Sequence, residues 1–201
     1  MTRIVGVLLA AGVGDRFEGD EKLLATLDAE PIVSLAARSL AIDGVDHVVA
    51  AVRPDAQAVH GTLEPVVDEI IENPTPADGQ SRSVARGARR AAEIGADAAV
   101  FLPGDMPLID PGTTRRLVEG YWSADDSPDA IVPTYHGRRG NPVVFDAGQF
   151  DALESLSGDV GGRALFDDID VGRLPVEDPG IHRDVDTVAD LERLQRSING
   201  E

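Results

Sequence analysis

The 201-residue chain contains no cysteine, which removes disulfides, thiolate metal sites and cysteine nucleophiles together. It is nearly without lysine: of 18 basic residues, 17 are arginine and one is Lys22. The four histidines, His47, His60, His136 and His182, are scattered without an HExxH-like spacing, so a zinc hydrolase is not expected. No long apolar run exists either. The stretch 4–11 is too short to span a bilayer and ends in glycines, so no membrane span is expected and a soluble, cytoplasmic protein is.

What is abundant is acid. Thirty-six Asp and Glu against 18 Lys and Arg leave a formal charge of −18. Such a surface repels polyanions and excludes non-specific binding to nucleic acid or anionic membranes. With 42% hydrophobic and 27% charged residues, the chain has enough apolar matter to fold. Acid excess almost without lysine suits a protein adapted to high salt, which screens self-repulsion.

Compact apolar runs alternate with helical patterns. Strands are expected at 4–9, 47–52, 69–72, 98–102, 130–133 and 142–145. Helices are expected at 32–42, 55–63, 81–95, 111–123, 147–155, 160–168 and 187–198. Short strands separated by such helices predict a parallel α/β sheet in one domain, residues 1–201. The segments 73–79 and 125–129 read as loops within it. Ligands of such sheets collect at the carboxyl ends of the strands, so the residues after each strand carry the functional information.

After the first strand comes Leu9-Ala10-Ala11-Gly12-Val13-Gly14-Asp15-Arg16, then Gly19 and Lys22-Leu23-Leu24. Small residues past a strand let backbone N–H groups approach an anion, and Arg16 and Lys22 add two cations. A dinucleotide fingerprint would need glycine where Phe17 stands, and a P-loop would need lysine where Asp20 stands. Gly79-Gln80-Ser81-Arg82-Ser83 opens a helical run, with Ser81 as its expected N-cap. Pro103-Gly104-Asp105-Met106-Pro107 places a carboxylate directly after a buried strand, where Mg²⁺ could join it to substrate phosphates. Later segments are Gly137-Arg138-Arg139-Gly140-Asn141-Pro142-Val143 and Gly158-Asp159-Val160-Gly161-Gly162-Arg163. Asp184-Val185-Asp186-Thr187 follows, with Thr187 and Asp190 spaced as a capping box for the last helix. An extended 184–186 would turn both aspartates to one face.

In order and spacing, these segments resemble the MobA/MocA-type nucleotidyltransferases, particularly the molybdenum cofactor cytidylyltransferases, from Leu9 to Leu191. The resemblance implies a Rossmann-like three-layer α/β/α fold with a mixed, mainly parallel sheet. It assigns Arg16 and Lys22 to the triphosphate, and Leu9, Ala10, Ala11, Gly12, Gly14, Gln80, Ser81 and Ser83 to the nucleotide. Asp105 becomes the metal-binding and catalytic carboxylate beside Lys22 and Arg16. Asp186 is the second metal ligand, with Asp184 in reserve. Asn141, Gly161 and Arg163 fall to the acceptor. One departure is the acidic Glu18 in Phe17-Glu18-Gly19, where the family often has Arg-Met-Gly or Arg-Phe-Gly.

The implied reaction is Mg²⁺-dependent transfer of CMP from CTP to the terminal phosphate of molybdopterin, releasing pyrophosphate. The choice of CTP rests on LAAG rather than LAGG at 9–12. Alternatives are guanylyl or uridylyl transfer to phospholactate or a sugar phosphate, or a non-catalytic nucleotide- or cofactor-binding protein. Transient contact with a molybdenum enzyme or its chaperone would follow from the first reading.

Overall fold

The computed structural model describes the chain except residues 1, 13, 15, 19–20, 124–127 and 200–201; Gly19 of the first motif therefore lies outside the described residues. The strands are β1 (Ile4–Ala10), β2 (Thr26–Leu27), β3 (Glu30–Pro31), β4 (His47–Val52), β5 (Glu69–Glu72), β6 (Ala98–Pro103), β7 (Ala130–Tyr135), β8 (Arg138–Arg139), β9 (Val143–Asp146) and β10 (Val171–Pro175). The helices are α1 (Ile32–Leu40), α2 (Gln57–Leu63), α3 (Gln80–Ile94), α4 (Pro111–Ser123), α5 (Phe150–Glu154) and α6 (Val188–Asn199). The main sheet runs β10-β7-β9-β6-β1-β4-β5, with β8 attached to β7; β2 and β3 form a separate hairpin.

β1 pairs parallel with both β4 and β6, β4 with β5, and β7 with β10. β9 is antiparallel to both β6 and β7. The sheet is thus mixed and mainly parallel, as expected. Its central strands read as continuous apolar runs because helices cover both faces. Alternation along β1 shows this directly. Ile4 and Leu8 pack with Ala36, Leu40 and Leu117 of α1 and α4, whereas Val5 and Val7 pack with Val84, Ala88 and Leu153 of α3 and α5. α3 lies so close to β1 that a Cβ on Gly87 would sit 2.3 Å from a Val7 methyl.

Several local expectations change. The helix expected over 160–168 is only a 3₁₀ turn, Gly162–Leu165. Gly162 is pressed against the Phe145 ring, which a Cβ would meet at 2.7 Å. The 147–155 segment is a 3₁₀ turn followed by the short α5. β10 was not expected, because Gly172 and Arg173 interrupt its apolar pattern at the sheet edge. Residues 184–186 form no strand; they are delivered by a different device. Buried Asp178 accepts from the Asp110 N–H at 3.0 Å, the Thr113 hydroxyl at 2.8 Å and the Gly180 N–H at 2.7 Å. The Val185 N–H then donates to the Asp105 carbonyl at 2.9 Å. This stitching sets the Asp184–Asp186 segment beside the loop after β6.

Candidate active site

At the carboxyl end of the sheet, two cavities meet. The larger, about 650 Å³, is walled by the loop after β1 (Leu9, Ala11, Gly12, Gly14, Arg16), by Lys22, by residues 76–80 and by Asp105 and Asp186. The second, about 360 Å³, lies toward Met106, Arg138, Asn141, Arg163, His182 and Asp184. Arg16, Gln80, Pro103, Asp105 and Asp186 line both. A smaller cavity of about 160 Å³, lined by Val84, Phe101, Val143, Phe145, Asn141 and the 161–163 turn, opens beside them.

The charged centre is a chain of four side chains. Lys22 Nζ donates to Asp105 Oδ2 at 2.8 Å and reaches Asp186 Oδ1 at 3.4 Å. Arg16 Nη2 pairs with Asp186 Oδ2 at 2.9 Å. Lys22 is only 10% exposed against 75% for Arg16. The lysine is built into the site; the arginine reaches over it from solvent. Lys22 opens a 3₁₀ turn, Lys22–Leu24, whose Leu23 is buried in the main core. Burial raises the Asp184 carboxyl pKa above its ordinary value, and the nearby Asp105 and Asp186 charges push it the same way.

Two carboxylates converging on one cation are a donor set that suits a divalent ion sharing phosphate oxygens, since Mg²⁺ commonly takes one or two carboxylates and keeps water. Among the described residues no group of three His, Cys, Asp or Glu forms a metal cage. An ion here would complete its sphere with substrate oxygens and water.

Most of the expected nucleotide residues come together: Leu9, Ala11, Gly12, Gly14, Arg16, Lys22, Gln80 and Ser83 all line the larger cavity. Two do not. Ala10 is 1% exposed and its methyl belongs to the main core. Ser81 is fully buried inside α3 and is not its N-cap. Gly79 takes that position with φ +99°, a conformation that favours glycine, while a Cβ there would meet the Gly158 carbonyl oxygen at 2.4 Å. The Ser81 hydroxyl has no hydrogen-bond partner among the described residues. Ser83 keeps its place, its oxygen accepting from buried Asn73 Nδ2 at 3.0 Å.

On the other side, Asn141 and Arg163 line the second cavity, and Gly161 lines the smaller one. The 158–163 segment is divided, for Gly158 and Asp159 face the larger cavity. Arg163 is held below the usual arginine pKa by burial and by the Arg139 guanidinium. Arg138 and His182, also in this wall, were missed as site residues. One lay inside a noted turn, and the other was one of four scattered histidines. The 76–79 loop was missed as well; only its proline and glycine content marked it.

A family model described as the MobA-like NTP transferase domain matches residues 6–174. Nicotine blue oxidoreductase from Paenarthrobacter nicotinovorans is 32% identical over 95% of this chain and 96% of its own length. Phosphoenolpyruvate guanylyltransferase from Conexibacter woesei is 30% identical over 91% of this chain and 85% of its own. In fold, the chain is similar to a solved nucleotidyl transferase from Methanothermobacter thermautotroptrophicus, with TM-score 0.82 at 22% identity over 100% of both chains. Among the described residues no helix is long and apolar enough to cross a membrane.

Proposed function

The chain belongs to the MobA-like NTP transferase family, and from that premise we propose that it transfers CMP from CTP to the terminal phosphate of a molybdopterin-type molybdenum cofactor. The observation that carries this reading is the junction of the two cavities. A cleft of about 650 Å³ and a second, cation-bearing cleft share Asp105, Asp186 and Arg16, so two phosphorylated substrates laid in them would meet over the same carboxylates. The preference for CTP draws on the resemblance of the LAAG segment and on Ala11, whose methyl-bearing residue lines the nucleotide cleft where LAGG would leave glycine.

In the proposed reaction an acceptor phosphate oxygen forms a bond to the α-phosphorus, and the α–β anhydride bond breaks. Pyrophosphate leaves with the electron pair. No general base is needed, because a phosphate nucleophile is already ionised near neutral pH. Positioning and charge stabilisation supply the catalysis. Lys22, anchored between the two carboxylates, would donate toward the charge that grows on the leaving group, and Arg16 would fold over it. Gln80, at the start of α3 and common to all three cavities, would hold the two substrates in register. Asp105 and Asp186 would hold Mg²⁺, which when bound neutralises phosphate charge. The reaction would run in the cytoplasm, with transfer of the product to a molybdenum enzyme or its chaperone.

A second reading has its own support: the guanylyltransferase among the relatives, similar over nine-tenths of this chain, favours GTP and a small phosphorylated acid. Pyrophosphate release measured with each of the four nucleoside triphosphates, with molybdopterin and with phosphoenolpyruvate or phospholactate, separates the two. Release that needs both CTP and molybdopterin is expected. Turnover with GTP and a three-carbon phosphate would replace the first reading with the second. CTP·Mg²⁺ binding with no pyrophosphate from any acceptor would point to a nucleotide-binding protein without chemistry.

A further inference from the structure

Arg53, directly after β4, occupies an unusual place. Its guanidinium uses all three nitrogens. Nη1 donates to the Gly12 carbonyl at 3.1 Å, Nη2 pairs with Glu21, and Nε reaches Asp55 Oδ1 at 3.1 Å. Its own carbonyl lies 3.1 Å from His60 Nε2. Arg53 and Glu21 are 17% and 15% exposed, whereas Asp55 is 81% exposed. The solvent-facing pair contributes little; the inward pair and the carbonyl contact are the substantial ones.

Gly12 and Glu21 are the two ends of the segment that follows β1. Gly12 lines the nucleotide cleft, Arg16 lies between the two ends, and Glu21 immediately precedes Lys22. One planar fork therefore ties Gly12 and Glu21 to the tip of a neighbouring strand. We infer that Arg53 and Glu21 are positioning residues, which hold Gly12 and Lys22 where they receive the triphosphate. The inference rests on the proposed nucleotide reading for its ligand, a triphosphate group.

Neither residue lines the cavity, so neither is a direct contact. A lysine at 53 would keep the charge and could still pair with Glu21. Its single ammonium lacks the planar fork that serves two partners in fixed directions. The informative variants are therefore Arg53→Lys, which keeps the ion pair, and Glu21→Gln, which keeps a polar acceptor for the guanidinium while removing the partner charge.

Two measurements are compared with wild type: inorganic tripolyphosphate binding by calorimetry, and KM for CTP and for the acceptor by pyrophosphate release. Arg53→Lys is expected to weaken tripolyphosphate binding and to raise the CTP KM by about tenfold to a hundredfold, the cost of modest misplacement. The acceptor KM should change by less than about twofold. Glu21→Gln should move the same quantities in the same direction by less. Equal rises in both KM values would mean a general structural role and overturn the inference, as would unchanged tripolyphosphate affinity in Arg53→Lys. Should wild type bind tripolyphosphate yet turn nothing over, the transfer reading falls, and the affinity ratio alone decides the positioning role. A wild type that binds no tripolyphosphate overturns the inference as well.

Discussion

The wall proposed for the nucleotide and the wall proposed for the acceptor handle charge in different ways. The first is assembled from residues after β1 and at the start of α3, and its cations are already engaged: Lys22 with Asp105 and Asp186, and Arg16 with Asp186. The second wall is formed largely by residues beyond 137, and neither Arg138 nor Arg163 joins a salt bridge among the described residues. Arg139, next to them, stacks over the Phe166 ring at 5.2 Å. A triphosphate is the same group in every nucleoside triphosphate, and a wall of fixed, mutually neutralised charges suits it. Acceptors differ, and a wall whose guanidiniums form no salt bridge among the described residues suits variation. In a molecule of net charge −18, each cation facing a cavity is the stronger signal.

The sharpest way to break this contrast is to remove the carboxylate common to both walls. Asp105→Ala is expected to abolish pyrophosphate release while leaving the thermal transition in place. Its side chain is partly exposed, and the structural contact from Val185 goes to the backbone carbonyl, which the variant keeps. Residual turnover close to wild type would remove Asp105 from the chemistry. Lys22→Ala should come next, lowering kcat by on the order of 10²–10³, the scale for one preorganised donor. Because Lys22 also separates two carboxylates, its loss leaves Asp105 and Asp186 facing one another. Mg²⁺ should therefore bind this pair more tightly, read as a downward shift in the Mg²⁺ titration of the residual activity.

On the other wall, Arg163→Ala should raise the acceptor KM by roughly tenfold, the worth of one charge-assisted hydrogen bond, with the KM for nucleotide unmoved. A rise confined to the nucleotide KM would reverse the assignment of the walls. Arg138→Ala provides the parallel case and should act on the acceptor in the same direction.

How much of this was readable beforehand depends on range along the chain. β1 and β6 were legible because a strand covered on both faces is an unbroken apolar run, and Asp105 because it is the first acid after one. Lys22 was legible because no other lysine competes with it. Ser81 misled, since a serine before a helical pattern reads as a cap. The cap here is Gly79, with a positive φ and a close approach to Gly158, far away in the chain. Arg53 was silent because its partners lie 41 and 32 residues upstream. Arg138 and His182 meet only when β7, β8 and the 179–182 turn are folded together, with His182 Nε2 lying 3.2 Å from the Arg138 carbonyl. Local capping at α6, by contrast, was fully legible: Thr187 and Asp190 stand three apart and bond reciprocally.

That capping box provides the smallest expected effect, and one with a distinct pH signature. The Thr187 N–H and hydroxyl donate to Asp190 Oδ2 at 2.8 and 2.7 Å, and the Asp190 N–H donates back to the Thr187 hydroxyl at 3.2 Å. Thr187→Ala should cost about 1 kcal/mol, a fall in Tm of roughly 2–4 °C for a protein of this size. The Thr187 hydroxyl is the main reason the Asp190 carboxyl sits below its ordinary pKa. A depressed carboxylate contributes stability that is present above the unfolded pKa, near 4, and is lost as pH falls through the folded value. The gap in Tm between wild type and Thr187→Ala should therefore narrow as the melts are moved from about pH 6 to about pH 3. A gap that stays constant would assign the loss to the hydroxyl's bond from the Asp190 N–H rather than to the carboxylate. Because Thr187 follows Asp186 directly, the same variant compares the two walls once more. A loosened Asp186 should weaken Mg²⁺-supported turnover modestly, with the acceptor KM, proposed to depend on Arg138 and Arg163, left where it was.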